Sequence, residues 1–142
     1  MKSSPAKQKR RVYFNEYNLL MENVAYFPIA TGLLRAYAET SETLTANYEF
    51  MPFIFYRDTL ESILARHENP SVAGFSLSTW NEQLNLKVAK EIKRMYPDCL
   101  IVFGGPSVPH HPHEYFQEHP FVDVTVRGEG EEAFSEILNR FL

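Results

Sequence analysis

Two glycine-containing segments are the first candidates for chemistry in this 142-residue chain. Gly104-Gly105-Pro106-Ser107 directly follows an apolar run, and Arg127-Gly128-Glu129-Gly130-Glu131 precedes the last amphipathic stretch. Glycines let a backbone come close to a ligand, and the free amides at the start of a helix attract polar ligand groups. Each segment is also consistent with a purely structural role, as a tight turn or as helix capping by acidic residues. Neither matches a G-x-G-x-x-G or P-loop pattern.

A third candidate is the polar run that follows another apolar stretch, made of Ser76, Ser78, Thr79, Trp80 and Asn81. Small hydroxyl groups would form a polar floor, and Trp80 would add a flat apolar surface beside it. In the structural alternative, Trp80 covers the core and Asn81 caps a helix. The residues by themselves leave both interpretations open.

The histidine-rich segment at residues 109–113 resembles a metal site only in composition. Pro112 interrupts the spacing, and neither an acid nor a cysteine completes a known ligand set, so we expect His111 or His113 to lie near the start of a short helix. No G-x-S-x-G elbow surrounds Ser107, and Ser78-Thr79 stand where a response regulator needs an aspartate. We therefore assign no metal-ligating and no catalytic residue.

The elements that must position these segments alternate between strands and helices. Strands are predicted at residues 12–14, 48–53, 72–77, 100–103 and 122–126, with helical spacing of apolar residues between most of them. Pro28 suits the first turn of a helix in which Ile29, Leu33, Ala36 and Tyr37 recur at helical spacing, and residues 16–27 are predicted as an irregular loop.

This alternation implies right-handed crossovers and a parallel sheet. We predict an α/β fold of the Rossmann or flavodoxin-like type, with a five-stranded parallel sheet in the order 2-1-3-4-5 and helices on both faces. Ligands of such sheets bind outside the carboxyl ends of the strands. Four loops are thereby selected, at residues 15–18, 78–81, 104–108 and 127–131.

Charge and cysteine content exclude several classes of function. Residues 1–11 hold five basic residues and no acid, which leaves 9 of the 14 basic residues against all 18 acidic ones in the body. We predict a flexible basic leader over residues 1–11, one domain over residues 12–142, and no nucleic-acid partner. A single cysteine, Cys99, excludes a disulfide framework or a multi-cysteine metal site within the chain. No run of the sequence suggests a membrane span or a secretory signal, so we expect no membrane partner and a cytoplasmic location.

Taken in order, the motifs resemble those of a known family. The segments at residues 72–81, 103–107 and 122–131 are similar to the third-strand, fourth-strand and fifth-strand signatures of the cobalamin-binding domain found at the front of radical S-adenosylmethionine (radical SAM) enzymes. Tyr26-Phe27-Pro28 with Gly32-Leu33-Leu34 resembles the first helix of that family. The resemblance covers nearly the whole chain after the basic leader.

The resemblance implies a Rossmann-like domain that holds cobalamin across its strand ends. The nucleotide tail would lie in a crevice lined by Ser76, Gly104, Gly105 and residues 128–131, and the corrin ring would lie over the loops of Asn18 and Ser78 to Asn81. Related cobalamin proteins use D-x-H-x-x-G after the first strand to supply a histidine to cobalt, but no histidine precedes His67 here. We therefore expect base-off cobalamin without a histidine ligand, with Trp80 or its neighbours near the lower face.

A radical SAM domain carries C-x-x-x-C-x-x-C for its [4Fe–4S] cluster, and this chain has only Cys99. The resemblance thus implies a fragment of a longer, methyltransferase-type enzyme, whose radical SAM domain would be the partner and would hold the cluster and S-adenosylmethionine. The chain alone would bind cobalamin without catalysing a reaction. Two other hypotheses remain: a flavodoxin-like regulatory or interaction domain without a cofactor, and a small enzyme that uses Ser107, Glu131 or a histidine.

Overall fold

The computed structural model describes residues 7–142, apart from the side chain of Ala25. Its central sheet consists of parallel strands. In chain order, the strands of this described part are β1 (Arg10–Asn15), β2 (Leu20–Met21), β3 (Val24–Ala25), β4 (Tyr48–Phe50), β5 (Pro70–Ser76), β6 (Leu100–Gly104) and β7 (Val124–Thr125). The sheet runs β4-β1-β5-β6-β7, while β2 and β3 form a separate antiparallel hairpin. Counted along the chain, the strands of the large sheet therefore follow the predicted order 2-1-3-4-5, and the predicted fold class is confirmed.

Helices cover both faces of this sheet. They are α1 (Ile29–Ala38), α2 (Glu42–Asn47), α3 (Leu60–Ala65), α4 (Glu82–Met95), α5 (His113–Glu118) and α6 (Glu131–Arg140). Because successive strand residues point to opposite faces, Val72 packs into a core shared with α1, α2 and α6, whereas Ala73 packs into a core with α3 and α4. No helix between residues 7 and 142 is long and apolar enough to cross a membrane.

The first strand begins earlier than predicted. β1 starts at Arg10 rather than at residue 12, so Arg10 and Arg11 belong to the sheet, whereas residues 1–6 of the predicted leader lie outside the described residues. Arg11 is held at the start of the strand, because its side chain donates to the carbonyl oxygen of Glu68 at 3.1 Å and pairs with the Glu68 carboxylate at 3.3 Å. Arg10 donates to the carbonyl oxygens of the last two residues of the chain.

Two short elements, the β2–β3 hairpin and α2, were not predicted from the sequence. Residues 16–27 contain the β2–β3 hairpin, whose turn residues Glu22 and Asn23 have φ values of 50° and 66°. Hairpin turns of positive φ are usually signalled by glycine, which this turn lacks. The other missed element is α2, which Ser41 caps by accepting from the backbone N–H of Leu44 at 3.3 Å.

Candidate functional site

A cleft of about 220 Å³ opens on one face of the sheet, where β5, β6 and β7 end between α1 and α6. Small residues at alternate positions form its floor, because Gly74 and Ser76 of β5 lie beside Val102 and Gly104 of β6 in register. The walls come from the first turns of α1, from α6 and from the loop after β7: Ala30, Thr31, Leu33, Leu34, Val126, Gly128, Glu129, Gly130, Glu131 and Phe134. The cleft is therefore mainly apolar, with acidic side chains in one wall.

Gly104 leaves room in the cleft. A Cβ atom built on it would meet only the carbonyl oxygen of Val126, at the ordinary contact distance of 3.7 Å. The hollow at this point thus depends on the missing side chain and not on an unusual backbone conformation.

Gly105 also lines the cleft, and the absence of its side chain serves packing as well. Its φ is 106°, and a Cβ would lie 2.5 Å from the carbonyl oxygen of Leu77 and 2.8 Å from the Leu77 nitrogen. The Leu77 N–H donates to the Gly104 carbonyl oxygen at 2.6 Å, and the Ser107 N–H donates to the Leu77 carbonyl oxygen at 3.2 Å. Of the two alternatives left open by the sequence, the tight turn is therefore present here, and the Ser107 amide is already occupied.

The glycines of the second segment also separate into two roles. Gly128 has a φ of 76° with open space around its Cβ position, so it serves a left-handed turn. Gly130 precedes α6, and a Cβ there would lie 3.1 Å from the Cδ2 atom of Leu34. Gly130 consequently lets α6 approach α1 closely at one end of the cleft.

Asn81 connects the ends of β1 and β5 instead of facing solvent. Its side-chain nitrogen donates to the carbonyl oxygens of Tyr17 at 3.2 Å and Ser76 at 2.9 Å, and its oxygen accepts from the Ser78 N–H at 2.8 Å and from Asn85 at 3.0 Å. Asn81 is 2% exposed and occupies the N-cap position of α4 without a side-chain capping bond among the described residues. Its amide thus organises the loop and has no free face for a ligand.

The other predicted site residues lie outside the cleft. Thr79 and Trp80 are exposed at the end of β5, where the Trp80 carbonyl oxygen accepts from Arg57 at 2.5 Å. Ser78 is buried, and half-buried Asn18 after β1 donates to the Tyr26 carbonyl oxygen at 3.3 Å. Pro106 is exposed, and exposed Arg127 lies 3.2 Å from His110.

The α1 wall was missed by reasoning from the sequence. The spacing of Ile29, Leu33 and Tyr37 correctly indicated a helix, yet these side chains are 70%, 52% and 43% exposed. With Phe27, which is 80% exposed, they form an apolar surface that continues into the cleft through Leu33. An exposed apolar stripe of this kind indicates a surface that contacts a ligand or a partner.

Two side chains, His67 and Cys99, are placed where burial suppresses their chemistry. His67 is 2% exposed, and burial lowers its pKa to about 4. Burial likewise raises the pKa of the Cys99 thiol to about 12. His113 begins α5 as expected, and residues 7–142 contain no group of three His, Cys, Asp or Glu side chains arranged to hold a metal ion.

Comparison with known proteins gives the family. Residues 31–138 match the family model described as the B12 binding domain. The chain belongs to the B12 binding domain family. The match runs from α1 to α6, so both helical walls of the cleft are part of the B12 binding domain.

The similar curated proteins are methyltransferases. The chain is 41% identical over 133 residues to the 2-(S-pantetheinyl)-carbapenam-3-carboxylate methyltransferase of Streptantibioticus cattleyicolor, covering 94% of this chain and 19% of that protein. It is 40% identical over 141 residues to the cobalamin-dependent radical SAM methyltransferase TokK of Streptomyces tokunonensis, covering 97% of this chain and 20% of TokK. This B12 binding domain thus spans about a fifth of the length of these relatives.

Proposed function

We propose that this B12 binding domain is the cobalamin-binding module of a cobalamin-dependent radical SAM methyltransferase, and that the cleft receives the nucleotide tail of cobalamin. The cleft between α1 and α6 carries the proposal, because it lies within the matched region and at the strand ends where ligands of such sheets bind. When bound, cobalamin would supply a cobalt centre that carries a methyl group. The residues of this chain bind and orient it.

The cleft suits the chemistry of the tail. Aliphatic and aromatic side chains, among them Leu34, Val102 and Phe134, line the space that the apolar benzimidazole base requires. Ser76 offers a hydroxyl group in the floor. Glu129 and Glu131 line the wall and favour hydroxyl groups, such as those of a ribose, over a bare phosphate. No Lys or Arg among the described residues lines this cleft.

Base-off cobalamin follows from placing the nucleotide tail in the cleft, and the end of β1 supports the absence of a histidine ligand. The residues that follow β1 are Glu16, Tyr17 and Asn18, so a histidine is absent from this loop. The Tyr17 side chain is fully buried, and its hydroxyl donates to the Asn15 side-chain oxygen at 2.8 Å. His67 is buried too, so neither side chain is presented at the surface where the corrin ring would lie.

We place the corrin ring over the loops of Asn18 and residues 78–81. The indole of Trp80 is 48% exposed and offers a flat apolar surface to the lower face of the ring. Thr79 is exposed beside it, whereas buried Ser78 and Asn81 position the loop. Gly105 lines the cleft and also fixes the neighbouring turn, whereas Ser107 contributes through the turn alone.

A longer protein would supply the remaining chemistry. The single cysteine of this chain is buried, so the [4Fe–4S] cluster and S-adenosylmethionine would belong to a radical SAM domain outside this chain. The names and lengths of the relatives support this part of the proposal.

Electron paramagnetic resonance of the Co(II) cobalamin complex tests the axial ligand. The complex is prepared twice, with unlabelled protein and with protein that contains ¹⁵N-histidine. We expect a cobalt signal without nitrogen splitting in both samples. A triplet that labelling leaves unchanged would mean coordination by the cobalamin's own base, and a triplet that becomes a doublet would mean a histidine ligand. Either pattern contradicts the proposal, and a chain that binds no cobalamin favours the cofactor-free interaction domain.

A further inference from the structure

We propose that Glu16 is a positioning residue that fixes the α1 wall of the cleft, an inference that rests on the proposed function of the cleft. The Glu16 Oε2 atom accepts from the Thr31 backbone N–H at 3.0 Å and from the Thr31 hydroxyl at 2.7 Å. Glu16 and Thr31 are 8% and 2% exposed, so this pair is shielded from water. Hydrogen bonds to a buried carboxylate are among the stronger ones in proteins.

Glu16 supplies what the first turn of α1 lacks. Pro28 occupies the N-cap position and provides no side-chain capping bond, and the described first turn of α1 holds no acidic residue of its own. The first amides of a helix need acceptors, and its positive end favours an anion. The carboxylate of Glu16 meets both needs from a position fifteen residues earlier in the sequence.

The connection matters for the cleft because Glu16 is attached to the sheet. It directly follows β1, and its own N–H donates to the Ile54 carbonyl oxygen at 3.0 Å. Thr31 lines the cleft, and Leu34 in the next turn packs against Gly130 of the opposite wall. Glu16 therefore sets the position of the α1 wall relative to the floor of the cleft.

The intervening segment offers little alternative support. The β2–β3 hairpin connects Glu16 to α1, yet Leu20, Met21 and Val24 are 55%, 56% and 65% exposed. Because these three side chains are largely exposed, they add little to hold the first turn of α1 when the carboxylate is removed.

The test compares Glu16→Ala with the matched control Glu39→Ala. Glu39 caps the opposite end of α1 and pairs with Arg35 at 2.9 Å, so both variants lose one carboxylate that contacts the same helix. Each protein is titrated with hydroxocobalamin and with cobinamide, which lacks the nucleotide tail. We expect Glu16→Ala to weaken cobalamin binding roughly five- to thirtyfold, because a smaller fraction of the protein molecules has α1 in the position that forms the cleft. Cobinamide binding should stay nearly unchanged.

Two further measurements separate positioning from general stability. Glu16→Gln should recover most of the cobalamin affinity, since its amide oxygen can still accept from Thr31. In the ligand-free protein, the Thr31 amide should exchange hydrogen faster in Glu16→Ala than in Glu39→Ala. Equal losses of affinity for both ligands, unchanged cobalamin affinity, or unchanged Thr31 exchange overturns the inference. Failure of the wild-type chain to bind cobalamin would instead refute the proposed function, and the exchange rates would still decide whether Glu16 holds α1.

Discussion

The adjacent glycines at the end of β6, Gly104 and Gly105, predict opposite outcomes for the same substitution. In Gly105→Ala the new methyl group would lie 2.5 Å from the Leu77 carbonyl oxygen, on a backbone with a φ of 106°. The Leu77 backbone cannot move freely, because it is hydrogen-bonded to Gly104 on one side and to Ser107 on the other. Backbone strain of about 1–3 kcal/mol and overpacking of about 1–3 kcal/mol add to a loss of roughly 2–6 kcal/mol in the free energy of unfolding.

Gly104→Ala should instead leave the fold intact and impair binding. Its methyl group meets only the Val126 carbonyl oxygen at 3.7 Å, so the protein accommodates it, with a gain of about 0.4–1 kcal/mol from the stiffer unfolded chain. The same methyl group projects into the cleft, where overpacking against the tail of about 1–3 kcal/mol corresponds to roughly five- to 150-fold weaker cobalamin binding.

Urea denaturation of the ligand-free proteins and titration with hydroxocobalamin separate the two effects. We expect a lowered denaturation midpoint for Gly105→Ala, and an unchanged or slightly raised midpoint with reduced affinity for Gly104→Ala. Wild-type stability of Gly105→Ala would refute the packing role of this glycine. If Gly104→Ala binds cobalamin with wild-type affinity, the nucleotide tail does not lie in the cleft.

Three further predictions concern single side chains. Because burial lowers the pKa of His67 to about 4, the unfolded chain takes up more protons than the folded one below about pH 6.5, and stability falls by up to about 3 kcal/mol toward pH 4. His67→Gln should reduce this pH dependence in urea denaturation. An unfolding free energy with the same pH profile as the wild type would contradict the assignment of the dependence to His67. Cys99, whose pKa burial raises to about 12, should resist iodoacetamide in the native protein and react fully in urea; native labelling at the rate of a free thiol would argue against its burial. Trp80, the single tryptophan, should lose fluorescence when cobalamin binds. Unchanged emission at saturation would contradict the placement of the corrin ring over the loop that contains Trp80.

The sheet and its order were predictable because strong local signals coincide. β5 and β6 are short runs of apolar or small residues, and α4 and α6 carry apolar residues at helical spacing, so local pattern and tertiary burial agree. The carboxyl-end loops followed from this order, and with them the cleft residues Ser76, Gly104, Gly105 and 128–131.

The α1 wall of the cleft was harder to predict, because it depends on tertiary contacts. The apolar stripe of α1 has the same spacing whether it faces a core or a ligand, and only the packed structure shows Leu33 at the cleft. The sequence likewise does not reveal that Gly105 faces the Leu77 backbone, that the amide of Asn81 is fully engaged, or that Glu16 reaches Thr31 across the hairpin. These contacts join residues from separate elements, which local patterns do not record.

Gel filtration of the chain with excess hydroxocobalamin tests the central claim most directly. The protein is separated from free ligand, and the cobalamin absorbance that co-elutes is compared with the protein concentration. We predict one cobalamin per chain for the wild type and a clear loss of bound cobalamin for Gly104→Ala without a loss of stability. Elution of all cobalamin in the free-ligand volume, even at high excess, would contradict the proposal that this domain holds cobalamin.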